Sequence, residues 1–235
     1  MRISGKNANA LPRPDFADID VVRSWIGDEE IRGVILTGEG RHFCSGADIE
    51  QFKSIEIDKN PEQNVKKFEA GRKILSYIEN LEKPVIASID GACIGGGLEI
   101  ALACHLRYCS SNAIFGFTEI NHGIIPMLGG IERLAAITGK SKAFELLLSA
   151  DTFNAEYALE TGIVNSIAKS KSALDHSLSI MTNIISKKSK PVMYAMRLVK
   201  NVGNAEFEAD MNYECRMFAE LVIDEYGNSA EAQNG

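Results

Sequence analysis

Residues 83–106 read KPVIASIDGACIGGGLEIALACHL. Pro84–Asp90 is a short apolar run with Val85, Ile86 and Ile89, which predicts a buried strand. Gly95, Gly96 and Gly97 follow, and then Leu98, Ile100, Ala101, Leu102 and Ala103, an apolar helix in which Glu99 is the one charge. A glycine triplet lets the backbone approach a ligand where a Cβ would intrude. The first amides of the helix are left unpaired there, and the helix dipole adds partial positive charge. The turn is suited to hold a phosphate, or an oxygen that becomes anionic during a reaction.

Outward from this turn the chain alternates strand and helix. Phe16, Ile19, Val21, Val22 and Trp25 fit a short amphipathic helix ending near Gly27. Ile31–Leu36 is a strand candidate broken by Thr37-Gly38-Glu39-Gly40. His42–Asp48 is a loop after it, with Gly46 free to take unusual angles. Residues 53–64, charged and containing Pro61, read as a mobile surface loop. Phe68, Ile74, Leu75, Ile78 and Leu81 line one face of a helix ending before Lys83-Pro84.

Downstream, 105–109 and 113–117 read as short extended segments, and 119–127 as a loop closed by Pro126. Helices are expected from Gly129-Gly130 through Ile137, over 141–150 and over 155–160, with a last strand at 163–167. The remainder reads as helix over 173–187, 191–202 and 205–226. An α/β core over 1–167 and a helical subdomain over 168–235 are therefore expected. The loops at 42–48 and 91–97 would open on one edge of a parallel sheet, where α/β proteins bind ligands.

The 235 residues suffice for one sizeable core. A net charge of −7 argues against nucleic acid and anionic membrane surfaces as partners. Cys44, Cys93, Cys104, Cys109 and Cys215 are scattered without a C-x-x-C and read as reduced thiols. No long apolar run and no signal-peptide core are present, so a cytoplasmic location is expected. No metal-ligand spacing occurs among the histidines, and neither dinucleotide nor Walker glycine patterns are found.

Glu99 either favours its helix dipole or, lacking a partner in an apolar helix, serves a site. Glu119, in a loop, reads alone as solvated. The two together beside an anion-stabilising turn suit a general acid and a general base. The N–H groups of Ala47 and Gly96 are candidate oxyanion donors, though glycines in such a turn also serve simple packing. Gly91-Ala92-Cys93-Ile94-Gly95 also matches a cysteine form of the nucleophile elbow, with His105, His122, His176, Asp151 and Asp175 available as partners. The simpler reading of Cys93 is a small buried residue. Lys53, Lys59, Lys66, Lys67 and Arg72 read as a solvated surface, with coenzyme A phosphates as the alternative.

The chain resembles the crotonase, or enoyl-CoA hydratase/isomerase, superfamily. The resemblance rests on Phe43-Cys44-Ser45-Gly46-Ala47-Asp48, on Lys83-Pro84-Val85-Ile86-Ala87 leading into Asp90 through Glu99, on Phe115-Gly116-Phe117-Thr118-Glu119, and on Gly123-Ile124-Ile125-Pro126 with Gly129-Gly130. It implies a spiral of ββα units with a C-terminal helical trimerisation region, in trimers or paired trimers. It implies an acyl-CoA substrate, coenzyme A entering only as part of that substrate, with no metal and no resident cofactor. The thioester oxygen would accept from Ala47 and Gly96. Glu99 and Glu119 would be the catalytic pair of an enoyl-CoA hydratase, a carbon–oxygen lyase, with Ser45, Gly46, Asp48, Ile49 and Gly95 around the substrate. A double-bond isomerase and a carrier-bound acyl dehydratase or decarboxylase share the fold, and a non-catalytic acyl-CoA-binding relative is a further alternative. The family's leading strand hairpin has no counterpart before Asn7-Ala8-Asn9-Ala10-Leu11, so an open sheet edge is expected. The basic tail of relatives is unmatched in 229–235.

Overall fold

The computed structural model describes residues 1–13, 16–48, 60–169, 172–204 and 212–227, leaving aside the side chains at 61, 63, 66, 67, 226 and 227. Its larger sheet is parallel, in the spatial order β1 (Arg2–Ile3), β2 (Val34–Gly38), β3 (Val85–Ile89), β5 (Leu106–Cys109), β8 (Ser166–Ile167). A smaller sheet joins β4 (Ala92–Ile94) in parallel to β6 (Ile114–Gly116), which pairs antiparallel with β7 (Thr152–Asn154). The register puts Val34 opposite Val85 and Leu36 opposite Ala87. All five side chains of β3 are buried, as a strand covered on both faces must be. β1 covers the outer edge of β2 at Thr37 and Gly38.

From β3 to β6 successive strands alternate between the sheets. β3 lies in the first, β4 in the second, and helix α3 (Gly96–Ala103) follows; β5 and β6 repeat the step. This is the ββα order expected. The glycine triplet therefore does not follow β3 directly, because Ala92–Ile94 is itself a strand. Gly97 permits it: an added Cβ there would lie 2.2 Å from the Cys44 carbonyl oxygen.

α1 (Ile19–Ile26) is capped by Asp18, whose carboxylate accepts from the N–H groups of Asp20 and Val21. It buries Val22 and Ile26; of the apolar set read from sequence, Phe16, Ile19 and Val22 pack on the core, whereas Val21 and Trp25 face solvent. The strand expected from Ile31 begins at Val34, because Ile31 N–H is spent on a turn to Asp28. α2 (Pro61–Glu79) starts inside the stretch read as loop. Asn60 accepts from Glu62 N–H at 3.0 Å and Pro61 opens the first turn, a start signal that the surrounding charges masked. Residues 53–59 lie outside the described residues. α2 buries Ile74, Leu75 and Ile78.

Glu119–His122, read as loop, is a 3₁₀ turn, and α4 (Gly130–Thr138), α5 (Lys140–Ser149) and α6 (Ala155–Glu160) stand as expected. β7 was not foreseen; it is anchored by Phe153, whose ring stacks on Phe115 at 5.8 Å. The last strand is confined to Ser166–Ile167, directly before the sequence-read division at 167.

The chain clusters into two compact units, Met1–Met181 and Thr182–Gly235. α7 (Ala173–Ile185) is followed by α8 (Ser189–Lys200) and α9 (Tyr213–Val222), which ends in a π-helical turn. Within the second unit the Tyr194 hydroxyl donates to Glu220, and Lys190 pairs with Asp224 at 2.7 Å. No helix among the described residues is long and apolar enough to cross a membrane.

Candidate active site

β2 and β3 are parallel neighbours, so the loops after them leave the sheet at the same end. Main-chain bonds then fasten one loop to the other. Phe43 N–H donates to Asp90 at 2.8 Å, Cys44 N–H to Ala92 at 2.9 Å, and Ile94 N–H back to Cys44 at 3.0 Å. On its other side the first loop is tied to Leu11, whose N–H donates to Gly46 at 2.7 Å and whose carbonyl accepts from Asp48 at 2.9 Å. That pattern turns the N–H of Ala47 away from Leu11. Neither Ala47 N–H nor Gly96 N–H has a hydrogen-bond partner among the described residues. The two are neighbours, since a Cβ built on Gly46 would lie 3.5 Å from Gly96 N.

The loop is braced from residues 6–11. Asn7, Ala8 and Asn9 are consecutive left-handed residues with φ of 51°, 60° and 61°. Buried Asn9 donates through Nδ2 to the carbonyls of Glu39 (2.9 Å) and His42 (2.7 Å). Ser45 donates through Oγ to the Asn7 carbonyl at 2.7 Å, and Asn7 donates to the Asp48 carboxylate at 3.3 Å.

Glu99, on the first turn of α3, is 2 % exposed. Its Oε1 accepts from Leu128 N–H at 2.8 Å and Gly130 N–H at 2.9 Å, at the N-terminus of α4. Burial raises its carboxyl above the ordinary value, and those amides, with the Arg133 charge, oppose the rise. Glu119, on the 3₁₀ turn, is pushed up to about 7, chiefly by burial and further by the like charge of Glu99. Its Oε2 is buried with no hydrogen-bond partner among the described residues. A carboxylic acid and a carboxylate of different environments in one cleft are the ingredients of paired proton transfer.

A cavity of about 350 Å³ joins these groups. Ala47, Gly96, Glu99 and Glu119 line it together, against Leu11, Phe16, Phe68, Ile124, Met127 and Leu128, with Arg13 at its wall. Ser45, Gly46, Asp48 and Gly95 are not part of that lining: the first three hold the loop to residues 7–11, and Gly95 N–H donates to Gly116 at 2.8 Å. Ile49 lies outside the described residues, as do Lys53, Lys59 and the side chains of Lys66 and Lys67. Arg72 is exposed and pairs with Glu132 at 2.9 Å.

The nucleophile-elbow reading of Cys93 does not survive. Cys93 is wholly buried in the middle of β4, opposite Phe115, and burial pushes its thiol well up. His105 meanwhile accepts from Val85 N–H and His176 packs edge-on against Tyr108. Sequence reasoning missed the amides of Leu128 and Gly130. Their signal was present: a lone buried carboxylate needs donors, and Gly129-Gly130 opens a helix. Phe16 and Phe68 carried no signal distinguishing them from core residues.

The profile of the enoyl-CoA hydratase/isomerase family matches residues 5–235. The chain is 34 % identical to the short-chain enoyl-CoA hydratase of Clostridium acetobutylicum, over 92 % of this chain and 82 % of that one. It is also 34 % identical to the peroxisomal Δ(3,5)-Δ(2,4)-dienoyl-CoA isomerase of Arabidopsis thaliana, over 96 % of this chain and 85 % of the relative. Among solved structures, an enoyl-CoA hydratase from Polaromonas sp. JS666 superposes with a TM-score of 0.86 at 26 % identity, covering 98 % of this chain and 90 % of that one. One from Bacillus anthracis gives 0.84 at 27 % identity, covering 99 % and 91 %.

Proposed function

The chain belongs to the enoyl-CoA hydratase/isomerase family, the crotonase superfamily, and from that premise we propose that it hydrates the 2,3 double bond of an enoyl-CoA thioester. One observation carries this reading. Two carboxyl groups and two main-chain N–H groups without partners among the described residues share one apolar cavity. In the proposed reaction the thioester oxygen accepts from Ala47 and Gly96, so negative charge arriving there meets donors already in place. Water sits between the two glutamates. Glu99, whose Oε1 accepts from the Leu128 and Gly130 amides that oppose the effect of its burial, takes a proton as the water oxygen bonds to C3. The π-electron pair moves onto the thioester as an enolate. Glu119, its acid form retained to near neutrality, protonates C2. Solvent then carries the proton from Glu99 back to Glu119. The electron sink is the thioester itself, so the proposal needs no metal or resident cofactor.

A second reading has its own support, since a dienoyl-CoA isomerase is 34 % identical. The same carboxyl pair would move a proton between carbons without admitting water. The proposal further includes a cytoplasmic location and assembly into trimers or paired trimers. Assembly is supported by the exposed apolar side chains Val199, Val202, Phe218 and Ile223 of the second unit.

Crotonyl-CoA and longer 2-enoyl-CoAs, followed by loss of the conjugated-thioester absorbance, test the hydratase reading. A 3-enoyl-CoA, followed by gain of that absorbance, tests the isomerase. No change with any 2-enoyl substrate sinks the first; thioester binding without either reaction leaves a binding protein.

A further inference from the structure

Arg133, on α4, is nearly buried and lines no part of the cavity. Its Nη1 donates to the Leu128 carbonyl at 2.8 Å, and its Nη2 pairs with Glu79 of α2 at 2.8 Å. The Nε is buried without a partner among the described residues, an expensive arrangement for packing alone. Leu128 is the same residue whose N–H donates to Glu99 Oε1 at 2.8 Å. A chain of contacts thus runs from Glu79 through the guanidinium and the two peptide groups that flank the Leu128 Cα to the buried carboxylate.

We infer that Arg133 is a positioning residue for Glu99: by holding the Leu128 carbonyl it fixes the turn whose Leu128 and Gly130 amides grip Oε1. The inference rests on the reading of Glu99 as a proton acceptor. The charged and titratable groups packed around Glu99 divide clearly. Glu119 faces it from the 3₁₀ turn and raises its own pKa in response, and Cys104 closes the same helix. Glu132 of α4 is occupied by Arg72 of α2, and Glu79 of α2 by Arg133. Arg13 borders the cavity. Of these cations, Arg133 is the one whose field reaches the Glu99 carboxyl. Its fork, which reaches a carbonyl and a carboxylate at once, is a geometry that an ammonium cannot copy.

The test is a ¹³C NMR titration of protein labelled at the glutamate carboxyls, with the Glu99 signal assigned by Glu99→Gln. In Arg133→Met the midpoint of Glu99 rises by about one unit, a tenfold change in proton affinity. Arg133→Lys keeps the charge, so its midpoint stays within about 0.3 of the wild type, while kcat for crotonyl-CoA falls about tenfold and KM less than about threefold. Glu79→Gln removes the anion that partly neutralises the guanidinium, and the midpoint moves down by a few tenths, opposite to Arg133→Met. Equal midpoints in wild type and Arg133→Met, or equal rises in the Met and Lys variants, overturn the inference. If Arg133→Met does not fold, an unmoved or raised midpoint in Glu79→Gln does so. The titration needs no turnover: a wild-type protein that hydrates nothing refutes the hydratase reading, whereas an indifferent Glu99 signal refutes only the clamp.

Discussion

Gly95 stands so close to Glu119 that a Cβ on it would lie 2.7 Å from the carboxylate oxygen Oε1. Gly95 also has a φ of +50°, where a side chain is strained. Gly95→Ala therefore pushes Glu119 out of the cavity and costs about 1 kcal/mol or more of backbone strain. We expect hydration kcat to fall by about 100-fold with Kd for a saturated acyl-CoA little changed. Steady-state kinetics beside calorimetric binding measure both; unchanged kcat would place Glu119 outside the reaction.

Glu99→Gln and Glu119→Gln each remove a proposed proton carrier while keeping shape. Each is expected to lower kcat by about 10³-fold, and the double variant by little more, since the pair acts as a unit. Wild-type rates in both single variants would end the mechanism.

The Glu119 carboxyl, near 4.5 ordinarily, is raised to about 7 in the fold. Below the lower value folded and unfolded chains both carry the proton, so the fold loses nothing. As pH rises through the window, the unfolded chain ionises first and stability falls until the folded group ionises too. Glu119→Gln escapes that loss and is expected to gain on the order of 1–2 kcal/mol at pH 8, after allowance for partial exposure, and almost none at pH 4.5. Urea unfolding of both proteins at the two pH values measures the difference.

The same raised carboxyl sets the rate profile. If its acid form protonates C2, kcat/KM falls about tenfold per pH unit above roughly 7. A profile flat to pH 9 would assign the acid elsewhere.

Asn9 is predicted to be the costliest polar residue outside the cavity. Asn9→Ala strands the carbonyls of Glu39 and His42 and leaves alanine at a φ of 61°. A loss of about 2–3 kcal/mol of stability is expected, with lower kcat because the Ala47 loop loses its brace. Chemical denaturation and crotonyl-CoA turnover report the two effects separately.

Much of this was legible beforehand, for identifiable reasons. The apolar density of Val85–Ile89 and of Leu98–Ala103 leaves no solvent-facing alternative, so strand and helix followed from composition. Glu99 stood out because it alone among them is charged. Ala47, Gly96, Glu99 and Glu119 are brought to one cavity, as expected. What escaped were features set by distant partners. β4 exists because Ala92–Ile94 finds Ile114–Gly116, and β7 because Phe153 finds Phe115. The start of α2 was hidden by charge, and the role of Leu128 lies in a main-chain N–H that its side-chain identity cannot advertise.

The segment carrying Ala47 is fastened to Ala92 and Ile94 through peptide groups, not through side chains. The proposed grip on the acyl oxygen would thereby be separated from the identity of the surrounding amino acids. On that proposal, exchanging Phe16, Phe68, Ile124 or Met127 in the cavity wall would change which acyl tails are admitted while the main-chain amides keep their spacing. Libraries varied at those four positions should yield altered chain-length preference at undiminished thioester affinity, a division of labour that makes this scaffold a practical starting point for redirecting acyl-CoA chemistry.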